Sequence, residues 1–107
     1  MPERGDIVWI NCDPQAGHEQ GGGRRALVLS PAAYNDLTSL AIILPITIQV
    51  KAYPFELAIP TELTTKGVIL CDQVRSLDWR ARKASIKEKA PADLVAKAID
   101  LLDSLLE

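Results

Sequence analysis

Between Gly17 and Arg25 the sequence GHEQGGGRR brings together the chain's one histidine, a carboxylate, three consecutive glycines and two adjacent arginines. Gly21, Gly22 and Gly23 carry no β-carbon, so the backbone there can approach a ligand closely and present its N–H groups. Arg24 or Arg25 adds a planar guanidinium fork that matches phosphate oxygens. Glu19 and His18 lie within a few residues of that charge. Together these groups offer a proton acceptor, a proton donor and a charge stabiliser, the parts with which an RNA 2′-hydroxyl attacks its own phosphate. The same residues also suit a solvated loop.

Other phosphate-binding patterns do not fit. The nucleotide-binding P-loop needs Lys-Ser/Thr after its glycines, and the dinucleotide fingerprint needs a strand, a helix and a parallel sheet. A single histidine excludes a paired-histidine acid/base mechanism within one subunit. It also leaves no CxxC or HxxxH spacing for zinc, so neither a metal nor another cofactor is expected. Cys12 and Cys71 are too few for a disulfide framework and read as small core residues.

The elements that must position these groups are mostly strands. Asp6 to Cys12 (DIVWINC) and Arg25 to Ser30 read as strands one and two, joined by about a dozen residues, where a hairpin usually needs about 2 to 5. Pro31 can start a short helical turn through Asp36. Leu40 to Thr47 (LAIILPIT) is apolar enough for a buried strand, with Pro45 suggesting a bulge or an edge. Phe55 to Pro60 and Gly67 to Val74 add two strands, and Arg82 to Lys87 a weaker one. The period then changes. Leu94, Val95, Ala98, Ile99, Leu101, Leu102, Leu105 and Leu106 mark the apolar face of a helix, with Pro91 suited to its first turn. Five or six short strands with local turns and one packing helix predict a mainly β fold, a small, strongly curved antiparallel barrel closed by a C-terminal amphipathic helix.

With 107 residues, 48% hydrophobic and 24% charged, the chain suits one ordinary domain spanning 1–107. No apolar run approaches the roughly 18 residues of a membrane span, and the start MPERGD has no apolar signal core. No membrane association is expected, and the cytoplasm is the default compartment. The formal net charge of −2 hides a split. From Asp72 to Lys89 six basic residues face three acidic ones, whereas Ala90 to Glu107 holds one lysine against four acids. The basic segment permits an acidic partner and equally suits a solvated strand face.

Three ordered blocks carry a resemblance. RGDIVWINCDPQAGHEQGGGRRALVLSP, then LPITIQVKAYPFE, then GVILCDQVRSLDWRAR look like the MazF/PemK family of toxin endoribonucleases over nearly the whole chain. The family's opening pattern falls on Gly5-Asp6, Asp13-Pro14, Gly17, Glu19-Gln20, Gly22 and Arg24, and Arg25 stands where the family usually has proline. The resemblance therefore places the catalytic arginine at Arg24 and the catalytic threonine at Thr47 of PIT. Glu19 becomes the candidate general base or loop organiser, with His18 next in line. Gln49, Asp72, Gln73 and Val74 also match family positions. Gln20, Arg25, Gln49, Gln73, Arg80 and Arg82 are candidate RNA-binding residues beside His18.

What the resemblance implies is an SH3-like barrel with a C-terminal helix, a homodimer, and metal-independent cutting of single-stranded RNA or mRNA to 2′,3′-cyclic phosphate and 5′-hydroxyl ends. It also implies a MazE-like antitoxin partner whose acidic, largely disordered tail competes with RNA for the groove. The alternatives are a same-fold toxin that binds protein, of the gyrase-poison type, and a non-catalytic SH3-like interaction module.

Overall fold

The computed structural model describes residues 1–11 and 23–106. Its elements in chain order are β1 (Asp6–Asn11), β2 (Gly23–Val28), α1 (Ala32–Thr38), β3 (Leu40–Thr47), β4 (Glu56–Ala58), β5 (Val68–Leu70), β6 (Arg75–Asp78), β7 (Ser85–Lys89) and α2 (Ala92–Asp103). The strands make one antiparallel sheet ordered β4-β5-β3-β2-β1-β7, with β6 also paired to β3. Among the described residues no ladder joins β4 to β7, so the sheet is barrel-like but open.

β3 organises this sheet. One edge pairs with β2; the other pairs with β6 over Leu40 to Ile43 and with β5 over Ile46 and Thr47. Pro45 sits between those two ladders. Expected to mark a bulge or an edge, it marks the place where a central strand changes partner, and there its missing N–H interrupts neither neighbouring ladder.

Both faces of the sheet are buried, which explains the continuous apolar run of β3. Ile7, Leu27, Leu44, Ile46, Ile59, Ile69 and Cys71 pack with Leu94, Val95 and Ala98 of α2. On the opposite face Val8, Ile10, Ala26, Val28, Ala41, Ile43 and Leu77 form a second cluster, partly covered by Trp79 and Ala84. Alternate residues of β1 and β2 therefore serve different cores, as the period of two requires.

Element boundaries depart from expectation in a few places. β2 begins at Gly23, two residues early, and β6 was not foreseen. The weak Arg82 to Lys87 candidate is β7 at Ser85–Lys89. Pro91 is the N-cap of α2 rather than a first-turn residue. The helix stops at Asp103, which leaves Leu105 and Leu106 exposed instead of packed.

Candidate active site

The site is built where β2 and β3 run side by side. Their register sets Ala26 opposite Pro45, Leu27 opposite Leu44 and Val28 opposite Ile43. Arg24 and Thr47 lie two residues beyond the Ala26–Pro45 pair, each at its own strand's end of this ladder. Alternation along β2 sends Arg24 to the side of Ala26 and Val28, and Arg25 to the side of Leu27. Arg24 is exposed and Arg25 half-buried.

Two clefts meet at this pair. One, of about 420 Å³, is lined by Trp9, Gly23, Arg25, Ile46 and Ile48, and by Thr64, Thr65 and Lys66 of the turn before β5; the other, of about 370 Å³, is lined by Gln49, Lys51, Tyr53, Glu56, Leu70 and Gln73. Arg24 and Thr47 line both. They stand where the two clefts meet, at the waist of one groove.

Local chemistry fixes each wall. The Gln49 N–H donates to Thr47 Oγ1 over 3.1 Å, so the Thr47 hydroxyl keeps its own hydrogen to donate to a ligand. Beneath Thr47 lies Gly67, at φ +112°, whose imagined β-carbon would stand 2.2 Å from the Thr47 carbonyl oxygen. No other residue fits there. Gly23 has a parallel role: a β-carbon on it would lie 2.6 Å from the Trp9 indole. The described glycine of the triplet thus seats an aromatic ring, where the sequence suggested a phosphate against the backbone. Trp9 remains 44% exposed and offers a stacking surface.

In the second cleft the Glu56 carboxylate accepts from the N–H groups of Lys51 (3.0 Å) and Ala52 (2.8 Å), which holds Ala52 at φ +59°. The Tyr53 hydroxyl donates to Asp72 Oδ1 at 2.8 Å. That hydrogen bond, reinforced by desolvation and the Asp72 charge, raises the phenol's pKa and keeps it protonated. Arg24, Arg25, Lys51 and Lys66 give the groove a cationic lining that suits a phosphate chain.

Of the residues singled out from sequence, Arg24, Arg25, Thr47, Gln49 and Gln73 line the groove. His18, Glu19, Gln20 and Cys12 lie outside the described residues. Arg80 is bound to Asp36 of α1 at 3.0 Å and stacks on Trp79 at 4.3 Å. Arg82 donates to the Asn11 carbonyl at 3.0 Å, bracing the end of β1. Neither arginine lines the clefts. Sequence reasoning passed over Trp9, Lys51, Tyr53 and Lys66. The signal for Trp9 is its pairing across the β1–β2 ladder with Arg25, which only the register reveals.

The model of the PemK-like, MazF-like toxins of type II toxin-antitoxin systems matches residues 3–106. The chain belongs to that family. It is 45% identical over 95 residues to the endoribonuclease toxin MazF of Escherichia coli strain K12, covering 88% of this chain and 85% of that relative. Among solved structures, MazF (Form-I) from Deinococcus radiodurans matches with a TM-score of 0.89 and 54% identity over 98% of this chain and 96% of that one. MazE-MazF (Form-III) from the same organism matches with a TM-score of 0.90 and 51% identity over 98% and 95%. These family members share the antiparallel sheet and C-terminal helix described above. No helix among the described residues is long and apolar enough to cross a membrane, and no three of their His, Cys, Asp or Glu side chains gather to hold a metal.

Proposed function

We propose that this chain is a MazF-like endoribonuclease toxin of a toxin-antitoxin system, and that it cuts single-stranded RNA at the waist marked by Arg24 and Thr47. The observation that carries this reading is that Arg24 and Thr47 line both clefts. A single strand can lie along both clefts with its scissile phosphate over the pair, its bases stacked on Trp9 and Tyr53 and hydrogen-bonded by Gln49 and Gln73.

The 2′-hydroxyl attacks the adjacent phosphorus and the 5′-oxygen leaves, giving 2′,3′-cyclic phosphate and 5′-hydroxyl ends. Arg24 stabilises charge on the phosphate and on the leaving oxygen, because a guanidinium does not deprotonate in proteins. Thr47 donates a hydrogen bond to the same phosphate. Glu19 is the proposed base, with His18 next. No step calls for a metal ion or cofactor.

The chain acts as a single domain of 1–107 in a cytoplasmic homodimer, with the groove at or near the subunit interface. Its protein partner is a MazE-like antitoxin, whose acidic tail fits the cationic lining and competes with RNA. Purified protein incubated with a long RNA in EDTA, with both ends of each cut mapped, tests the reading. Cleavage with cyclic phosphate ends supports it. A strict Mg²⁺ requirement or 5′-phosphate products overturns the mechanism, and intact RNA favours the protein-binding alternatives.

A further inference from the structure

The groove wall before β5 is held from outside the site, by a strand that lines neither cleft. Glu88 lies on β7, one edge of the open sheet, and its carboxylate accepts from the Thr64 N–H at 3.1 Å and the Thr65 N–H at 2.6 Å. The Thr65 hydroxyl also donates to it. Thr65 is almost wholly buried, and its Oγ1 in turn accepts from Arg25 Nη1 at 3.1 Å. Where no ladder closes the sheet, Glu88 ties β7 to the turn between β4 and β5. The same contacts run on to a cation of the first cleft.

We propose that Glu88 is a positioning residue for RNA binding: through Thr65 it fixes the Arg25 guanidinium and the turn bearing Thr64 and Lys66 as one preorganised wall of the groove. The proposal rests on the reading of that groove as an RNA site. A planar fork on a flexible stem loses less freedom on binding phosphate when it is already oriented. Thr65 can serve only as a hydroxyl here, because it donates to a carboxylate and accepts from a guanidinium at once. Among the described residues no hydrogen bond joins the Arg24 or Thr47 side chain to this network, so Glu88 governs affinity rather than the chemical step.

The test uses the full chain and an oligonucleotide that spans a mapped cleavage site and carries a 2′-deoxy sugar at the scissile position, so that binding is read without turnover. Glu88→Gln cannot accept all three hydrogen bonds, and Thr65→Val removes the hydroxyl that joins Glu88 to Arg25 while nearly preserving volume. Each should weaken binding about tenfold or more, the scale for losing a hydrogen bond to a charged group. Single-turnover cleavage of the corresponding RNA by Glu88→Gln at saturating protein should stay at the wild-type rate. Thr65→Ser loses a buried methyl and some stability but keeps the hydroxyl, and should retain wild-type affinity. A purely structural role would make affinity follow the urea midpoints measured for the three variants; that pattern, or unchanged affinity in Thr65→Val, overturns the proposal. If the wild-type chain neither binds nor cuts RNA, the groove reading fails with it. If Arg24→Ala abolishes cutting while both clamp variants bind normally, only the clamp fails.

Discussion

Gly67→Ala places a β-carbon where the Thr47 backbone already is. The imagined carbon stands 2.2 Å from the Thr47 carbonyl oxygen, 2.8 Å from its carbonyl carbon and 3.2 Å from the Ile48 Cα. All three are backbone atoms, so no side-chain rotation relieves the contact. Two costs add. A non-glycine residue at φ +112° sits in a sparsely populated region, worth about 1–3 kcal/mol. Overpacking contributes about 1–3 kcal/mol more. The sum, roughly 2–6 kcal/mol, is a large share of the about 5–15 kcal/mol that holds a typical domain folded. Urea unfolding followed by tryptophan fluorescence should show a midpoint about 1–3 M lower, taking an m value of about 2 kcal/mol/M. Thr47 pairs with Val68, the next residue, so relief of the clash also shifts the Thr47 hydroxyl relative to Arg24. Misplacement by about 1 Å can cost on the order of 10²-fold in rate, and single-turnover cleavage under conditions where the variant is folded should fall by that order. A wild-type urea midpoint would refute the packing argument. A destabilised variant that cuts at the wild-type rate would refute the claim that Gly67 sets the position of Thr47.

Two further outcomes follow from ionisable groups. Burial opposes ionisation of Glu88, but the hydrogen bonds from Thr65 and Thr64 and the Arg25 charge outweigh it and hold the carboxyl below its usual value. The unfolded chain then binds more protons, so the stability advantage of wild type over Glu88→Gln should be complete above the ordinary carboxylate range and disappear as pH falls through the lowered value. Paired urea midpoints at neutral and strongly acidic pH check this, and an advantage that persists unchanged in acid contradicts it. Burial, aided by the Asp72 charge, pushes the Cys71 thiol up to about 11. In a Cys12→Ser background a disulfide reagent at neutral pH should therefore react only after denaturant is added, and prompt reaction of the folded protein would contradict the burial of that thiol.

Legibility in the sequence followed how local each constraint was. β3 could be read at its full extent because burial on both faces leaves an unbroken apolar run. α2 could be read from its period, except that Leu105 and Leu106 continue the pattern beyond the last helical turn. β6 could not: its four residues RSLD bury only Leu77, and their partner in β3 lies more than thirty positions earlier. The site divides in the same way. Residue chemistry suggested a phosphate near the glycines, but only family resemblance singled out Thr47, and the β2–β3 register gives the physical reason for its place beside Arg24. Arg80 and Arg82 show the limit of charge patterning. Each looks available in sequence, yet Arg80 is held by Asp36, 44 residues away, and Arg82 by the Asn11 carbonyl, 71 residues away.

The central claim is that Arg24, not its neighbour, meets the scissile phosphate, and its most direct test is single-turnover RNA cleavage in EDTA by Arg24→Ala and Arg25→Ala at saturating protein, once circular dichroism has shown that both fold. Arg24→Ala should lose about 10²-fold or more in rate, the scale of removing a transition-state charge partner. Arg25→Ala should keep most of the rate and instead bind RNA more weakly, with a reduced salt dependence. A greater rate loss in Arg25→Ala would contradict the assignment and move the phosphate to the other face of β2.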